Sequence, residues 1–133
     1  EIVGGPVDLV VADLSFISLE LVLDALLSVL APDGELALMV KPQFEVGKDR
    51  VGKGGVVRSL ELRAEAVTHI ADAAARRGWG AVAVTASPLP GPSGNVEFFL
   101  LLRRGAAHIG ADDVRAEVER SGSWGATGER VDP

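Results

Sequence analysis

The chain has 133 residues, 47% of them hydrophobic, and a formal net charge of −6. That length holds one domain with a substantial core, and the acidic balance argues against a free-standing nucleic-acid binder, because phosphate contacts dominate such affinity. Cysteine is absent, which excludes disulfides and thiolate metal sites and allows a reducing cytoplasm.

No apolar run approaches the roughly 18 to 20 residues that span a bilayer. The start lacks the basic-then-apolar pattern of a signal peptide. A cytoplasmic location without membrane contact is therefore expected. Opening on Glu1 rather than Met, the chain reads as a piece of something longer. Charge is unevenly spread. Before Lys41 there is no Lys or Arg, against the acids Glu1, Asp8, Asp13, Glu20, Asp24, Asp33 and Glu35. From Lys41 to Arg58 the bases Lys41, Lys48, Arg50, Lys53 and Arg58 face only Glu45 and Asp49, so one basic loop sits on an acidic body.

Val7 to Ala12 is a short, Val-rich apolar run and predicts a buried strand. Ser18 is placed to cap a helix running to about Leu30, with Glu20 in its first turn. Leu19, Val22, Leu23, Leu26, Leu27 and Leu30 follow the i, i+3, i+4, i+7 stripe of a core-facing helix. Pro32-Asp33-Gly34 predicts the turn into a second strand, Leu36 to Val40, which breaks off at Lys41. Phe44 to Val57 carries Gly47, Gly52, Gly54 and Gly55 with most of the basic charge, and reads as a long mobile loop. Ser59 then caps a second helix that ends at Arg76-Arg77-Gly78 and shows Leu62, Ala66, Ile70 and Ala74 as a small-residue packing face.

Ala81 to Ala86 and Val96 to Leu102 predict the third and fourth strands. The connection SPLPGPSGN is made of turn formers and holds no helix, so these strands pair antiparallel. From Gly105 onward a frayed acidic tail is expected, with at most a short helix over Asp112 to Arg120. The order β-α-β-α-β-β is an α/β fold with a mixed sheet, the second half of a doubly wound domain. Its first strand would lack a neighbour on one side, leaving an apolar edge that invites a homodimer or aggregation.

Gly47-Lys-Asp-Arg-Val-Gly52-Lys53 fits the G-x-x-x-x-G-K pattern of a phosphate loop. Gly54 stands where Ser or Thr should bind magnesium, and the next helix starts too late for its N-terminus to meet phosphates. A flexible basic loop is the better reading. His69 and His108 form no metal site, since His69 is mid-helix without a ligand partner at i+4.

Asp13 and Lys41 end adjacent parallel strands, where ligands bind in open α/β sheets. Glu97 starts a strand that antiparallel order places beside the second, and buried acids are rare unless paired. Asp13 and Lys41 alone each read as ordinary strand-end residues, whereas Glu97 is harder to dismiss. Together they form one constellation, for which a catalytic and a structural reading both stay open.

DLSFISL at Asp13 to Leu19, LMVKPQFE at Leu38 to Glu45 and GNVEFFL at Gly94 to Leu100 resemble the FtsJ-like ribose 2′-O-methyltransferases. Within that group the likeness is to the TlyA, or hemolysin A-like, ribosomal RNA methyltransferases, and it covers roughly residues 7 to 104. The resemblance implies the C-terminal half of a Rossmann-like domain, a partial domain over residues 1–104 with sheet order 4-5-7-6 in the family's strand numbering. Residues 105–133 are left as a disordered acidic tail. The implied reaction is S-adenosylmethionine-dependent 2′-O-methylation of ribose in ribosomal RNA, with the ribosomal RNA or a ribosomal subunit as partner.

By motif, Asp13, Lys41 and Glu97 match the aspartate, second lysine and glutamate of the family's Lys-Asp-Lys-Glu tetrad. Asp13 and Leu14 fall at the cofactor, and no metal is implied. The first lysine, the glycine-rich cofactor loop and a basic S4-like RNA-binding domain belong upstream, so the fragment alone is expected to be inactive. Lys41 is read as the base or hydroxyl-steering group, with Asp13 and Glu97 orienting it. Lys48, Arg50, Lys53 and Arg58 are assigned to the RNA backbone. A non-catalytic interaction module, or a nucleotide-binding protein through the Gly47–Lys53 loop, are the alternatives. The family's hemolysin name finds no membrane-active stripe here.

Overall fold

Serine hydroxyls start the first two helices. Ser18, in extended backbone, accepts from the Glu20 amide at 3.3 Å and opens α1 (Leu19–Ser28). Ser59 accepts from the Leu62 amide at 3.2 Å and opens α2 (Leu60–Ala75). Each hydroxyl satisfies an amide that the helix itself leaves without a partner. The computed structural model describes residues 5–89, 91 and 94–121, apart from the side chain of Lys48. The other described elements are β1 (Val7–Ala12), β2 (Leu30–Val40), β3 (Trp79–Ala86), β4 (Phe98–Arg104) and α3 (Ala111–Ser121).

The sheet runs β1-β2-β4-β3, with β1 parallel to β2 and β4 antiparallel to both its neighbours. This is the order expected from the sequence, with β4 inserted between β2 and β3. Leu23, Leu27, Val67 and Ile70 from the helices share one core with Leu36, Leu38, Val40, Phe98, Leu100 and Leu102 from the strands. Leu9, Val11, Ala37, Met39, Phe99 and Leu101 alternate with that set and face away from the helices. Among the described residues nothing covers this second face: Leu9 is 56% and Val11 66% exposed. β1 is also an edge strand, as the sequence predicts.

The structure corrects the sequence reading in several places. The helix stops at Ser28, and the strand begins at Leu30 rather than Leu36. The Val7 amide donates to the Val29 carbonyl at 2.8 Å, so the chain joins the sheet as soon as the helix ends. Pro32-Asp33-Gly34 then forms a bulge inside β2, between the rungs Val7–Leu30 and Leu9–Glu35.

The glycine-rich loop is folded rather than loose. It contains 3₁₀ turns at Lys48–Arg50 and Lys53–Gly55, and Val56 and Val57 are buried. Asn95 holds it: its Oδ1 accepts from the Val57 amide and its Nδ2 donates to the Gly55 carbonyl, each at 2.8 Å.

Residues 105–121 are not a frayed tail. Val114 and Val118, spaced i, i+4 on α3, are each 1% exposed and pack in the core, with α3 against α2 and β3. The strap leading to α3 crosses Gly80 so closely that a Cβ there would lie 1.9 Å from the Ala106 carbonyl oxygen, so only glycine fits. Trp124, the rest of residues 122–133, and Pro90, Pro92 and Ser93 of the β3–β4 connection lie outside the described residues.

Candidate active site

Two strand exits interlock. The β1 exit, Asp13 to Ser18, and the β2 exit, Lys41 to Glu45, meet at several points along their length. Lys41 Nζ lies 2.6 Å from Asp13 Oδ1 and donates to Ser15 Oγ at 3.0 Å. Phe44 packs on Phe16, ring centroids 5.1 Å apart and planes tilted by 49°. Ser18 Oγ donates to Glu45 Oε1 at 2.7 Å, and the Leu19 amide donates to Glu45 Oε2 at 2.9 Å. Pro42 at the first position of a short 3₁₀ turn folds the second exit back so that these contacts are in reach.

The sequence expectation that Asp13 and Lys41 meet is met by a direct ion pair. Lys41 is 8% exposed, and a buried ammonium needs such partners. Glu97, 5% exposed, stands one residue beyond the Val40–Phe98 rung, beside Lys41 in the ladder. Its carboxylate is held by another residue: Gln43 Nε2 donates to Glu97 Oε2 at 3.1 Å. Among the described residues no ion pair joins Glu97 to Lys41. Gly91 sits against this carboxylate, where a Cβ would come within 2.2 Å of Oε2. Gln43 Oε1 is buried without a hydrogen-bond partner among the described residues.

Sequence reasoning missed Ser15, Gln43 and Glu45. They lie inside two of the three quoted motifs, but their partners are 26 to 54 residues away in the chain, out of reach of any local spacing rule. Burial raises the Glu45 carboxyl above its ordinary range, and the bonds from Ser18 and Leu19 only partly offset this.

Beside these groups opens a cleft of about 820 Å³, lined by Phe16, Ile17, Phe44, Val51, Gly52 and Asn95 among others. Asp13, Lys41 and Glu97 do not line it; their chain neighbours Gln43 and Phe16 do. Phe16 has φ of 66° and is 90% exposed. A bulky residue in the left-handed region without burial is strained, and such strain collects at functional sites.

The basic loop is less uniform than its composition. Arg50 makes a two-pronged bridge to Glu65, at 2.6 and 2.7 Å. Arg58 donates to the Lys53 carbonyl at 3.1 Å, and both residues are exposed. The side chain of Lys48 lies outside the described residues. The geometry of a phosphate loop is not formed: α2 begins only at Leu60, after the turns and an extended stretch. Leu14 is 36% exposed, next to Asp13, whose side chain is 61% exposed. No group of three or more metal-ligating side chains occurs among the described residues, and none of their helices is long and apolar enough to cross a membrane.

A four-stranded mixed sheet with an acid and a lysine joined across adjacent parallel strand ends is an α/β fold whose ligand crevice lies at those ends. The chain belongs to the FtsJ-like methyltransferase family, whose model matches residues 1–104. It is 60% identical over 103 residues to the 16S/23S rRNA (cytidine-2′-O)-methyltransferase TlyA of Mycobacterium tuberculosis, covering 77% of this chain and 38% of that protein. It is 32% identical over 89 residues to Hemolysin A of Brachyspira hyodysenteriae, covering 67% of this chain and 37% of that protein. A Lactococcus lactis crystal structure described as a proposed hemolysin superposes with a TM-score of 0.80 at 33% identity, covering 88% of this chain and 57% of that one. The chain thus spans well under half the length of these two curated relatives. S-adenosylmethionine is the general methyl donor of the family.

Proposed function

We propose that this chain supplies the Lys41 side of a ribose 2′-O-methyltransferase for ribosomal RNA, in a polypeptide of the relatives' length, and that alone it is inactive. The observation that carries this reading is the Lys41–Asp13 pair, with Glu97 one strand further on. Methylation requires the ribose hydroxyl to lose its proton as the new carbon–oxygen bond forms. Lys41 is the base or the hydroxyl-steering group: as the neutral amine it accepts that proton, and as the ammonium it only orients the hydroxyl. Asp13 and Ser15 fix its Nζ, and Gln43 fixes the Glu97 carboxylate.

S-adenosylmethionine would supply an electrophilic methyl on a cationic sulfonium. The exposed Asp13 carboxylate and the adjoining Leu14 fit the chemistry of such a group, one as counter-charge and the other as apolar contact. Phe16 offers its ring as a platform on which an unstacked base of the RNA rests. Lys53 and Arg58, with Lys48, contact the RNA backbone; Arg50 is committed to Glu65 and contributes less. The reading places the protein in the cytoplasm, with the uncovered sheet face and β1 edge buried by the rest of the polypeptide or, in the isolated chain, by a second copy.

The test is transfer of labelled methyl from S-adenosylmethionine to ribosomal RNA by a full-length protein carrying this segment. Its Lys41→Ala variant and this chain alone run beside it. Signal confined to the unaltered full-length protein supports the reading. Full methylation by Lys41→Ala removes Lys41 from the chemistry. No transfer with any ribosomal RNA favours the interaction module.

A further inference from the structure

Phe16 combines a left-handed backbone with a ring that is 90% exposed, so neither local preference nor burial explains its pose. The turn that carries it is pinned at both ends by the β2 exit. At the front, Lys41 holds Asp13 and Ser15. In the middle, Phe44 touches the Phe16 ring. At the back, Glu45 grips Ser18 Oγ and the first amide of α1 with its two oxygens. α1 already has its own cap, since Ser18 accepts from the Glu20 amide, and Glu20 supplies acid in its first turn. A carboxylate brought from 26 residues away satisfies the Leu19 amide that this cap leaves open, and in doing so ties the start of α1 to the β2 exit. Its geometry matters to the turn, because Phe44 and Glu45 are consecutive and engage residues 16 and 18–19 together.

We propose that Glu45 is a positioning residue which, through Ser18 and Leu19, holds Phe16 in its solvent-facing pose at the mouth of the cleft. The consequence for RNA rests on the reading of Phe16 as a base platform given above. Glu45 touches no reacting atom. Its removal lets the turn relax towards ordinary φ, and the ring leaves the cleft.

The experiment uses a full-length protein carrying this segment, with 4-fluorophenylalanine at position 16 as the only fluorine. In Glu45→Ala the fluorine resonance moves towards that of the free amino acid. In Ser18→Ala, which keeps the grip on Leu19, it moves part of the way. In Glu45→Gln, which can still accept from Leu19 and donate to Ser18, it stays near its original position. Glu45→Ala raises KM for RNA about fivefold, the scale of one lost capping interaction. KM for S-adenosylmethionine does not change, and no further rise appears when Phe16→Ala is already present. An unmoved resonance in Glu45→Ala, or RNA effects of the two substitutions that simply add, overturns the proposal. A resonance that moves while Phe16→Ala leaves KM for RNA unchanged supports the latch and removes the base-platform reading instead.

Discussion

Lys41 and Asp13 share one ion pair but not one environment: the lysine side chain is 10% exposed and the aspartate 61%. Losing the partner therefore harms the two ends unequally. Asp13→Ala strands a buried ammonium on Ser15 alone and is expected to cost about 1–3 kcal/mol. Lys41→Met leaves a carboxylate that water can solvate, and its stability loss should be the smaller. Urea unfolding of both variants checks the order, and the reverse order would show that Lys41 is wetter than its burial implies. Both variants should lose methyl transfer in the full-length protein.

Asn95→Ala removes the acceptor for the Val57 amide and the donor to the Gly55 carbonyl, in a region where Asn95 itself is 2% exposed. About 1–3 kcal/mol of stability is expected to go with it, because buried backbone groups lose their partners. Amide hydrogen exchange should then speed up at Val57 well before it does in the strands.

Lys53→Ala and Arg58→Ala should each weaken RNA binding and reduce the salt slope by about one. Arg50→Ala should do less, because its guanidinium already faces Glu65. A salt titration of RNA affinity in the full-length protein separates them. Equal slopes for all three would mean that Arg50 leaves Glu65 when RNA binds.

Glu45 gives a pH signature with a definite sign. Its carboxyl is raised above the ordinary 4.5 by burial, so the folded state holds this proton more tightly than the unfolded chain. The stabilising contribution is complete below the unfolded value and is lost as pH rises through the folded one. Wild type should therefore lose stability relative to Glu45→Gln as pH rises above the ordinary 4.5 and through the raised folded value. Thermal melts of the pair across that window give the answer, and a constant difference would place Glu45 in ordinary solvent.

Phe16→Gly should be neutral or stabilising, because glycine adopts φ of 66° without the penalty a bulky side chain incurs. The same change should weaken RNA binding. A marked loss of stability would mean that the Phe44 contact outweighs the backbone strain.

Local signals carried most of the fold. Ser18 and Ser59 announced two helix starts, the leucine stripe of α1 its buried face, and the Pro- and Gly-rich connection the antiparallel β3–β4 pair. What escaped notice depended on distant partners. Glycines 47, 52, 54 and 55 suggested mobility, yet the end of the loop is held at Gly55 and Val57 by Asn95, about 40 positions later. Val114 and Val118 had helical spacing, but the polar sequence around them hid that α2 offers a surface to bury them. Asp13 and Lys41 could be paired on paper because strand ends are predictable. The Gln43–Glu97 bond could not, since it depends on the fold of a three-residue turn.

The ladder between β2 and β4 works as a ruler marked only in whole residues. Lys41 and Glu97 hang one mark past Val40 and Phe98. A slip of one residue would throw every side chain of the strand to the opposite face, and a slip of two would part these groups by about 7 Å. Nothing between those steps is open to the backbone. Mutational tuning of this site must therefore run through side chains such as Ser15 and Gln43, which can shift a charge by fractions of an ångström while the ruler keeps its place.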